Sequence, residues 1–283
     1  MSAQVIDGKV VSDALRSDMK QRVIALKSRD ITPGLAVILV GDNPASEVYV
    51  RNKVRACESI GVHSTVTKLP ADTPESEVLD ELTKLNADST VHGILVQLPL
   101  PDHIDENKIL ETIDPLKDVD GFHKLNVGAM TTGKARYYPC TPHGVIKMLE
   151  HYGIGVEGKH AVVIGRSNIV GKPMSLMLLE RGATVTICTS KTPDVKQFTR
   201  SADIVVAAVG KPKMIDASYL SEKTVVIDVG INRLDDGTLC GDVDYEAVSK
   251  IVKSVTPVPG GVGPMTITML LENTIKSAET QKT

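Results

Sequence analysis

Ala161-Val162-Val163-Ile164-Gly165-Arg166-Ser167-Asn168-Ile169-Val170-Gly171-Lys172-Pro173 is the stretch that decides how this chain is read. An apolar run stops at Gly165, a short polar turn follows, and a second glycine opens a helix. A buried strand feeding such a turn aims the free N–H groups and positive end of the helix at the space before it, the geometry of a phosphate site. The spacing departs from the common dinucleotide fingerprint. Glycines would stand at 165, 167 and 170, whereas this chain has Gly165, Ser167 and Val170, with the later glycine at Gly171. The plain alternative is a strand-to-helix turn in an α/β sheet that binds nothing.

The next strand, Thr184-Val185-Thr186-Ile187-Cys188, sharpens the cofactor choice. An NAD enzyme places an Asp or Glu roughly 20 residues past its first glycine, on the ribose 2′-hydroxyl. Here Thr189-Ser190-Lys191 follow the strand, and no acid comes before Asp194. Arg166, Ser190 and Lys191 are donors suited to a 2′-phosphate, so the residues favour NADP over NAD. A merely solvated loop is the alternative, because Ser, Thr and Lys are ordinary turn residues.

A chain of 283 residues has room for two domains, each with its own core. A net charge of −3 argues against nucleic acid or an anionic membrane surface as partner. Cys57, Cys140, Cys188 and Cys240 stand far apart without a C-x-x-C pair, which points to reduced structural thiols rather than a zinc site or disulfide frame. None of the seven histidines forms an H-E-x-x-H, and there is no G-x-S-x-G elbow, so neither a metal hydrolase nor a serine hydrolase is inferred and no metal is expected. The first residues lack a basic segment followed by an apolar one, and no run approaches membrane-spanning length; the expected location is cytoplasmic. With no Trp and only Phe122 and Phe198, the cores must be aliphatic.

The first half alternates: helix over 10–26, strand 35–40, helix 44–60, strand 62–67, helix 74–85, strand 93–98. That alternation implies a parallel sheet with helices on its faces. Val11, Leu15, Met19, Val23 and Leu26 recur at helical spacing, and Asn43-Pro44 supplies an N-cap with proline at the first helical position. From 99 to 136 the pattern breaks into Pro, Gly, Asp and Asn-rich sequence, apart from a short helix near 106–113; Thr141-Pro142 then opens a helix to about Tyr152. Strands at 161–164, 184–188, 204–207, 224–229 and near Ser254 repeat the alternation, and a helix over 265–277 could return to the first domain. The expected fold is α/β in two domains: 1–140, completed by the C-terminal helix 265–283, and a Rossmann-like nucleotide domain over 141–264.

Tyr49 and Lys53 stand at i and i+4 on one predicted helix and share a face. The i±3 and i±4 neighbours of Lys53 are Tyr49, Val50, Ala56 and Cys57, with no carboxylate among them. Desolvation on such a face lowers a lysine's pKa from about 10.4, and a shift of about three units would make it a base near neutral pH. Snorkelling of the ammonium into water is the alternative. Lys53 also lies roughly 13 Å below the start of its helix, although crevices usually sit near helix starts. Gln97 closes the apolar run Gly93-Ile94-Leu95-Val96, where an amide can line a crevice or cap a loose backbone group. Asp120 belongs to Asp118-Val119-Asp120-Gly121-Phe122-His123, a loop where carboxylates more often serve turns.

Together these segments resemble the bifunctional methylenetetrahydrofolate dehydrogenase/methenyltetrahydrofolate cyclohydrolase family, often called FolD, along essentially the whole chain. The resemblance is carried by Tyr49-Val50-Arg51-Asn52-Lys53, Val96-Gln97-Leu98-Pro99-Leu100-Pro101, Asp118-Val119-Asp120-Gly121-Phe122, the 165–173 turn, and Pro257-Val258-Pro259-Gly260-Gly261-Val262-Gly263-Pro264-Met265-Thr266. It implies a homodimer with a folate cleft between its two domains. It also implies that Tyr49 stacks on folate, Lys53 transfers protons, Gln97 holds and tunes Lys53, and Asp120 hydrogen-bonds the pterin. Gly261 and Pro264 would shape the substrate side. Gly165, Arg166 and Ser167 would contact NADP phosphate and ribose, Ser190 would lie near the 2′-phosphate, and Ile231 near the nicotinamide.

Overall fold

The computed structural model describes residues 2–281. In chain order the elements are β1 (Gln4–Val5), α1 (Gly8–Lys27), β2 (Gly34–Val40), α2 (Pro44–Ile60), β3 (His63–Leu69), α3 (Glu75–Ala87), β4 (Gly93–Val96), α4 (Glu106–Thr112), α5 (Lys124–Thr131) and α6 (Cys140–His151). The second half adds β5 (His160–Ile164), α7 (Gly171–Glu180), β6 (Thr184–Cys188), α8 (Val195–Thr199), β7 (Ile204–Ala207), β8 (Val225–Asp228), β9 (Asn232–Arg233), β10 (Leu239–Cys240), α9 (Tyr245–Val248), β11 (Ser254–Val255) and α10 (Val262–Thr280). Two compact units result: one takes in Ala14–Cys140 and the chain from Ile267 on, the other the chain up to Asp13 and Thr141–Thr266.

The Ala14–Cys140 unit is built on three parallel strands in the order β3-β2-β4. All seven residues of β2 are buried, which is why this strand reads as a continuous apolar run and takes the centre. Its core gathers Ile38, Val78, Leu82, Ile94 and Ile109, each fully buried aliphatic side chain contributing about 1.5–3 kcal/mol. Asn43 caps α2 through Oδ1, which accepts from Ala45 N at 2.9 Å and Ser46 N at 3.3 Å; the helix stops at Gly61, held at φ 84°.

After β4 the chain is pinned by one carboxylate. Asp118, buried, accepts from Gly121 N (3.1 Å) and Phe122 N (3.2 Å) through Oδ1, and from His123 N (2.9 Å) and Asn126 Nδ2 (2.8 Å) through Oδ2. This network forms α5, a helix absent from the sequence expectation for 99–136. The latter part of α10 completes the unit: Asn273 Nδ2 donates to Val119 O at 2.8 Å and Tyr138 O at 3.1 Å. Tyr137, the bulkiest fully buried side chain in a core otherwise aliphatic, donates its hydroxyl to Leu116 O at 2.7 Å.

The other unit is a six-stranded parallel sheet ordered β1-β11-β8-β7-β5-β6, with α7 and the later helices as its connections. β6 lies on one side of β5 and β7 on the other, so the sheet reverses direction there, the place where open α/β sheets bind ligands. Residues up to Asp13, expected in the first domain, cluster here instead. The reason is β1, which adds an edge strand beside β11, with Ile6 N donating to Val255 O at 2.9 Å and Gly8 N to Gly260 O at 3.0 Å. All four cysteines are buried and free.

A Cβ at Gly93 would lie 2.8 Å from both methyls of Val119 and 3.2 Å from Thr274 Oγ1. Gly93→Ala is therefore expected to destabilise by roughly 1–3 kcal/mol through overpacking, seen as a fall in the urea midpoint.

Candidate active site

Lys53 is 9% exposed, on the α2 face that also buries Val50, Ala56, Cys57 and Ile60. It does not snorkel: Nζ donates to Gln97 Oε1 at 3.0 Å. The depth of Lys53 along its helix ceases to be a difficulty once Gln97 is located. Gln97 N donates to Ile38 O at 2.9 Å, which sets Gln97 level with a residue two short of the end of β2, roughly 7 Å below it. Lysine stems lean toward the helix start, and this lean closes the remaining gap. Gln97 Nε2 donates to Leu98 O at 2.6 Å, which orients the amide with its oxygen toward the amine.

Burial is the largest influence on Lys53 and pulls its pKa below the ordinary lysine value; the Asp120 carboxylate works against that pull. Burial likewise pushes the Asp120 carboxyl up, opposed by the Lys53 charge and reinforced by Asp118. Each group thus favours the charged form of the other while its surroundings favour the neutral one. Cys140, whose Sγ donates to Val119 O at 3.4 Å, sits beside the pair with its thiol pushed well up by burial, and so behaves as an inert wall. Tyr49, one turn before Lys53, is 37% exposed. Lys53, Gln97 and Asp120 are thereby brought together, with Tyr49 on the same helix.

In the other unit, a cavity of about 310 Å³ opens at the carboxyl ends of β5, β6 and β7, where the sheet reverses; Gly165, Arg166, Ser167, Ser190, Val209 and Lys211 are among its lining residues. Gly165 has φ 133°, and a Cβ there would lie 2.3 Å from Ala208 O; one at Gly171 would lie 2.3 Å from Gly165 O. The turn is therefore a cradle that only glycine permits, and its donors fit a nucleotide's phosphates. Ser167 Oγ already accepts from Val170 N (3.1 Å) and Gly171 N (3.3 Å), leaving its own O–H to donate. Arg166 and Ser190 are exposed. Ile231, 45% exposed, is not among the cavity's lining residues; its Cδ1 lies 3.6 Å from where a Gly263 Cβ would stand. Gly261 is buried in the turn before α10, its absent Cβ falling 2.4 Å from Pro257 O, and Pro264 lies in the first turn of that helix. These two belong to the nucleotide unit rather than to the unit of Lys53.

Lys211 was missing from the sequence expectation, although Gly210-Lys211-Pro212-Lys213 follows the parallel strand β7 after two intervening residues and so marks a basic strand end. Asp228 and Asp242, also missed, are both buried; burial pushes the Asp228 carboxyl up to about 7 against three backbone N–H bonds that pull it down.

Comparison with known proteins decides the kinship. Residues 6–120 match the model for the tetrahydrofolate dehydrogenase/cyclohydrolase catalytic domain, and residues 139–282 match that for the NAD(P)-binding domain of the same family. The chain belongs to the tetrahydrofolate dehydrogenase/cyclohydrolase family. It is 59% identical over 279 residues, 99% of each chain, to the bifunctional protein FolD of Paracidovorax citrulli. Among solved structures, the bifunctional methylenetetrahydrofolate dehydrogenase/cyclohydrolase of Campylobacter jejuni superposes with a TM-score of 0.97 at 52% identity, covering 98% of this chain and 99% of that one. The Trypanosoma brucei enzyme, solved with NADP and an inhibitor, gives 0.95 at 36% identity, covering 99% and 98%. The catalytic-domain match takes in Lys53, Gln97 and Asp120, and the NAD(P)-binding-domain match takes in the glycine turn at 165–171.

Gly171→Ala drives a methyl into the backbone of the cradle, at a cost of about 1–3 kcal/mol. The expected outcome in a fluorescence titration is an NADPH Kd raised roughly tenfold or more.

Proposed function

We propose that Lys53 is the proton-transfer group of a bifunctional enzyme that oxidises 5,10-methylenetetrahydrofolate with NADP⁺ and hydrolyses the resulting 5,10-methenyltetrahydrofolate to 10-formyltetrahydrofolate. The observation that carries this is the buried Lys53 amine, held by Gln97 at 3.0 Å and facing the charge of Asp120. Family membership supplies the two activities and the cofactor.

When bound, NADP⁺ supplies the hydride acceptor for the first step. That step asks the protein chiefly for orientation: Tyr49 stacks on the folate, Asp120 hydrogen-bonds the pterin, and Gly261 and Pro264 shape the substrate side. Gly165, Arg166 and Ser167 bind phosphate and ribose, Ser190 with Arg166 selects the 2′-phosphate, and Ile231 lies toward the nicotinamide. In the second step water adds to the methenyl carbon. Neutral Lys53 takes a proton from that water and returns it to the ring nitrogen as the carbon–nitrogen bond breaks, while the remaining hydroxyl proton of the adduct leaves to solvent as the carbonyl forms, giving the open formyl product. Gln97 keeps the amine aimed, and Asp120 tunes its charge. The working form is a homodimer in the cytoplasm, with folate as its small-molecule partner; among the described residues no helix is long and apolar enough to cross a membrane.

The test is a time course with methylenetetrahydrofolate and either NADP⁺ or NAD⁺, following reduced cofactor and methenyl product separately. NADPH should form with little lasting methenyl species, and NAD⁺ should serve poorly. Lys53→Met should abolish hydrolysis, a loss of at least about 10²–10⁴-fold, and strongly impair the dehydrogenase with the fold intact. Unchanged hydrolysis in that variant removes Lys53 from the mechanism.

The pH dependence follows from the signs above. A base works when neutral, so hydrolysis rises with pH through the Lys53 pKa, with its midpoint below that of an ordinary lysine. Asp120 raises that pKa. Asp120→Asn should therefore move the rising limb of kcat to lower pH, while a limb that stays put or moves up contradicts the assignment.

A further inference from the structure

The loop after β7 is held from behind by a single buried carboxylate. Asp242 Oδ2 accepts from Val209 N at 2.6 Å and Gly210 N at 3.0 Å, and Oδ1 accepts from Lys211 N at 2.9 Å and Asn232 Nδ2 at 3.0 Å. Asp242 is fully buried. A chain that alternates between right- and left-handed conformations converges consecutive backbone N–H groups on one anion. Gly210, at φ 69°, provides the left-handed residue. Val209 and Lys211 line the cavity at the sheet reversal, and Asn232 follows Ile231 directly. One carboxylate therefore ties together the wall contributed by the β7 end and the segment after β8.

A second carboxylate sets the first in place. Asp228, at the end of β8, accepts from Asp242 N at 3.0 Å and Gly230 N at 3.0 Å through Oδ1, and from Val243 N at 2.9 Å through Oδ2. Two glycines make room for the pair. A Cβ at Gly230 would fall 2.3 Å from the Asp242 carboxyl, and one at Gly241 would fall 1.8 Å from Asp228 Oδ2. Four buried residues spent on the rear of one loop are more than a turn requires.

We propose that Asp242 is a positioning residue for the dinucleotide: its carboxylate fixes the Val209–Lys211 backbone in the shape that the cofactor cavity needs, without touching the cofactor itself. This rests on the reading of that cavity as the NADP site. The role is separable from the hydrolytic step, whose proton-transfer group Lys53 lies in the other unit and which needs no dinucleotide when methenyltetrahydrofolate is supplied directly.

The test is Asp242→Asn, which replaces one carboxylate oxygen with an N–H₂ facing donors. The NADPH Kd, read by fluorescence titration, should rise about tenfold or more, and the Gly210 and Lys211 amides should exchange hydrogen faster. Hydrolysis of supplied methenyltetrahydrofolate should stay within about twofold of the parent. A Kd unchanged in a folded variant overturns the proposal. Where Asp242→Asn loses binding and hydrolysis together, the Gly210 pair decides. A Cβ at Gly210 meets nothing within 4 Å, so Gly210→Ala tests conformation alone, and Asn tolerates the left-handed region better than Ala. Weaker NADPH binding in Gly210→Ala than in Gly210→Asn, with hydrolysis retained in both, supports the proposal; parent-like binding in both overturns it. Parent protein that binds no NADPH overturns the cofactor reading and the role of Asp242 with it.

Discussion

The constraint on which the catalytic unit turns is a primary amine taken out of water. An ammonium moved from water to a protein interior loses several kcal/mol of solvation unless a partner restores it. Lys53 has two kinds of partner, and neither is an ordinary ion pair. Gln97 offers a neutral oxygen at 3.0 Å, and Asp120 offers a charge that is itself weakened by burial. A close, fully ionised carboxylate would lock the lysine as a cation. A wholly apolar pocket would hold it neutral and unable to retain a proton. The intermediate arrangement lets the amine accept a proton and give it back, as hydrolysis with ring opening demands.

Placing Asp120 correctly is a backbone task, and Asp118 performs it. Its four accepted hydrogen bonds leave the 118–123 loop little freedom, and β4 presses against Val119 through Gly93, where no side chain intervenes. The nucleotide unit solves its own problem in the same way. Asp242 does for 209–211 what Asp118 does for 121–123: a buried carboxylate organises consecutive N–H groups. In both places the carboxylate at the rear is not the group proposed to meet the ligand.

This explains what was legible in the sequence. β2, β4, β5 and β7 are wholly or almost wholly buried short strands, so their apolar runs stand out, and α1 and α2 carry long apolar stripes. α5 was hidden because Asn126 and Gly128 interrupt its apolar pattern and its cap is His123, whose Nδ1 accepts from Leu125 N at 3.1 Å. β1 was hidden because two residues carry no periodicity and its partner lies near the far end of the chain. Lys53 showed its apolar face locally, but Gln97 is 44 residues away and joins it only through the pairing of β4 with β2. Asp120 and Asp242 sit in short acidic stretches that read as turns. Asp118, which does the turn work beside Asp120, looks the same in one dimension, and Asp228 reads only as the polar end of an apolar strand.

The two activities ask different things of a protein, and the chain carries both kinds of feature. Hydride transfer needs alignment of two bound molecules, which rigid backbone supplies: Gly165 and Gly171 admit no side chain, and the wall from Val209 to Lys211 is tied from behind. Hydrolysis, as proposed, needs one group of adjustable charge, and burial favours the neutral form of Lys53. A lysine near the phosphate cradle would be held as a cation by the anion it binds, and a glycine-lined turn has no side chain with which to move a proton. The glycine cradle and the Lys53 amine lie in separate compact units, so a substitution in the cradle replaces none of Lys53, Gln97 and Asp120. Hydrolysis of the methenyl compound is therefore an internal control on substitutions in that cradle, though not at Gly261 or Pro264, which are proposed to shape the substrate side.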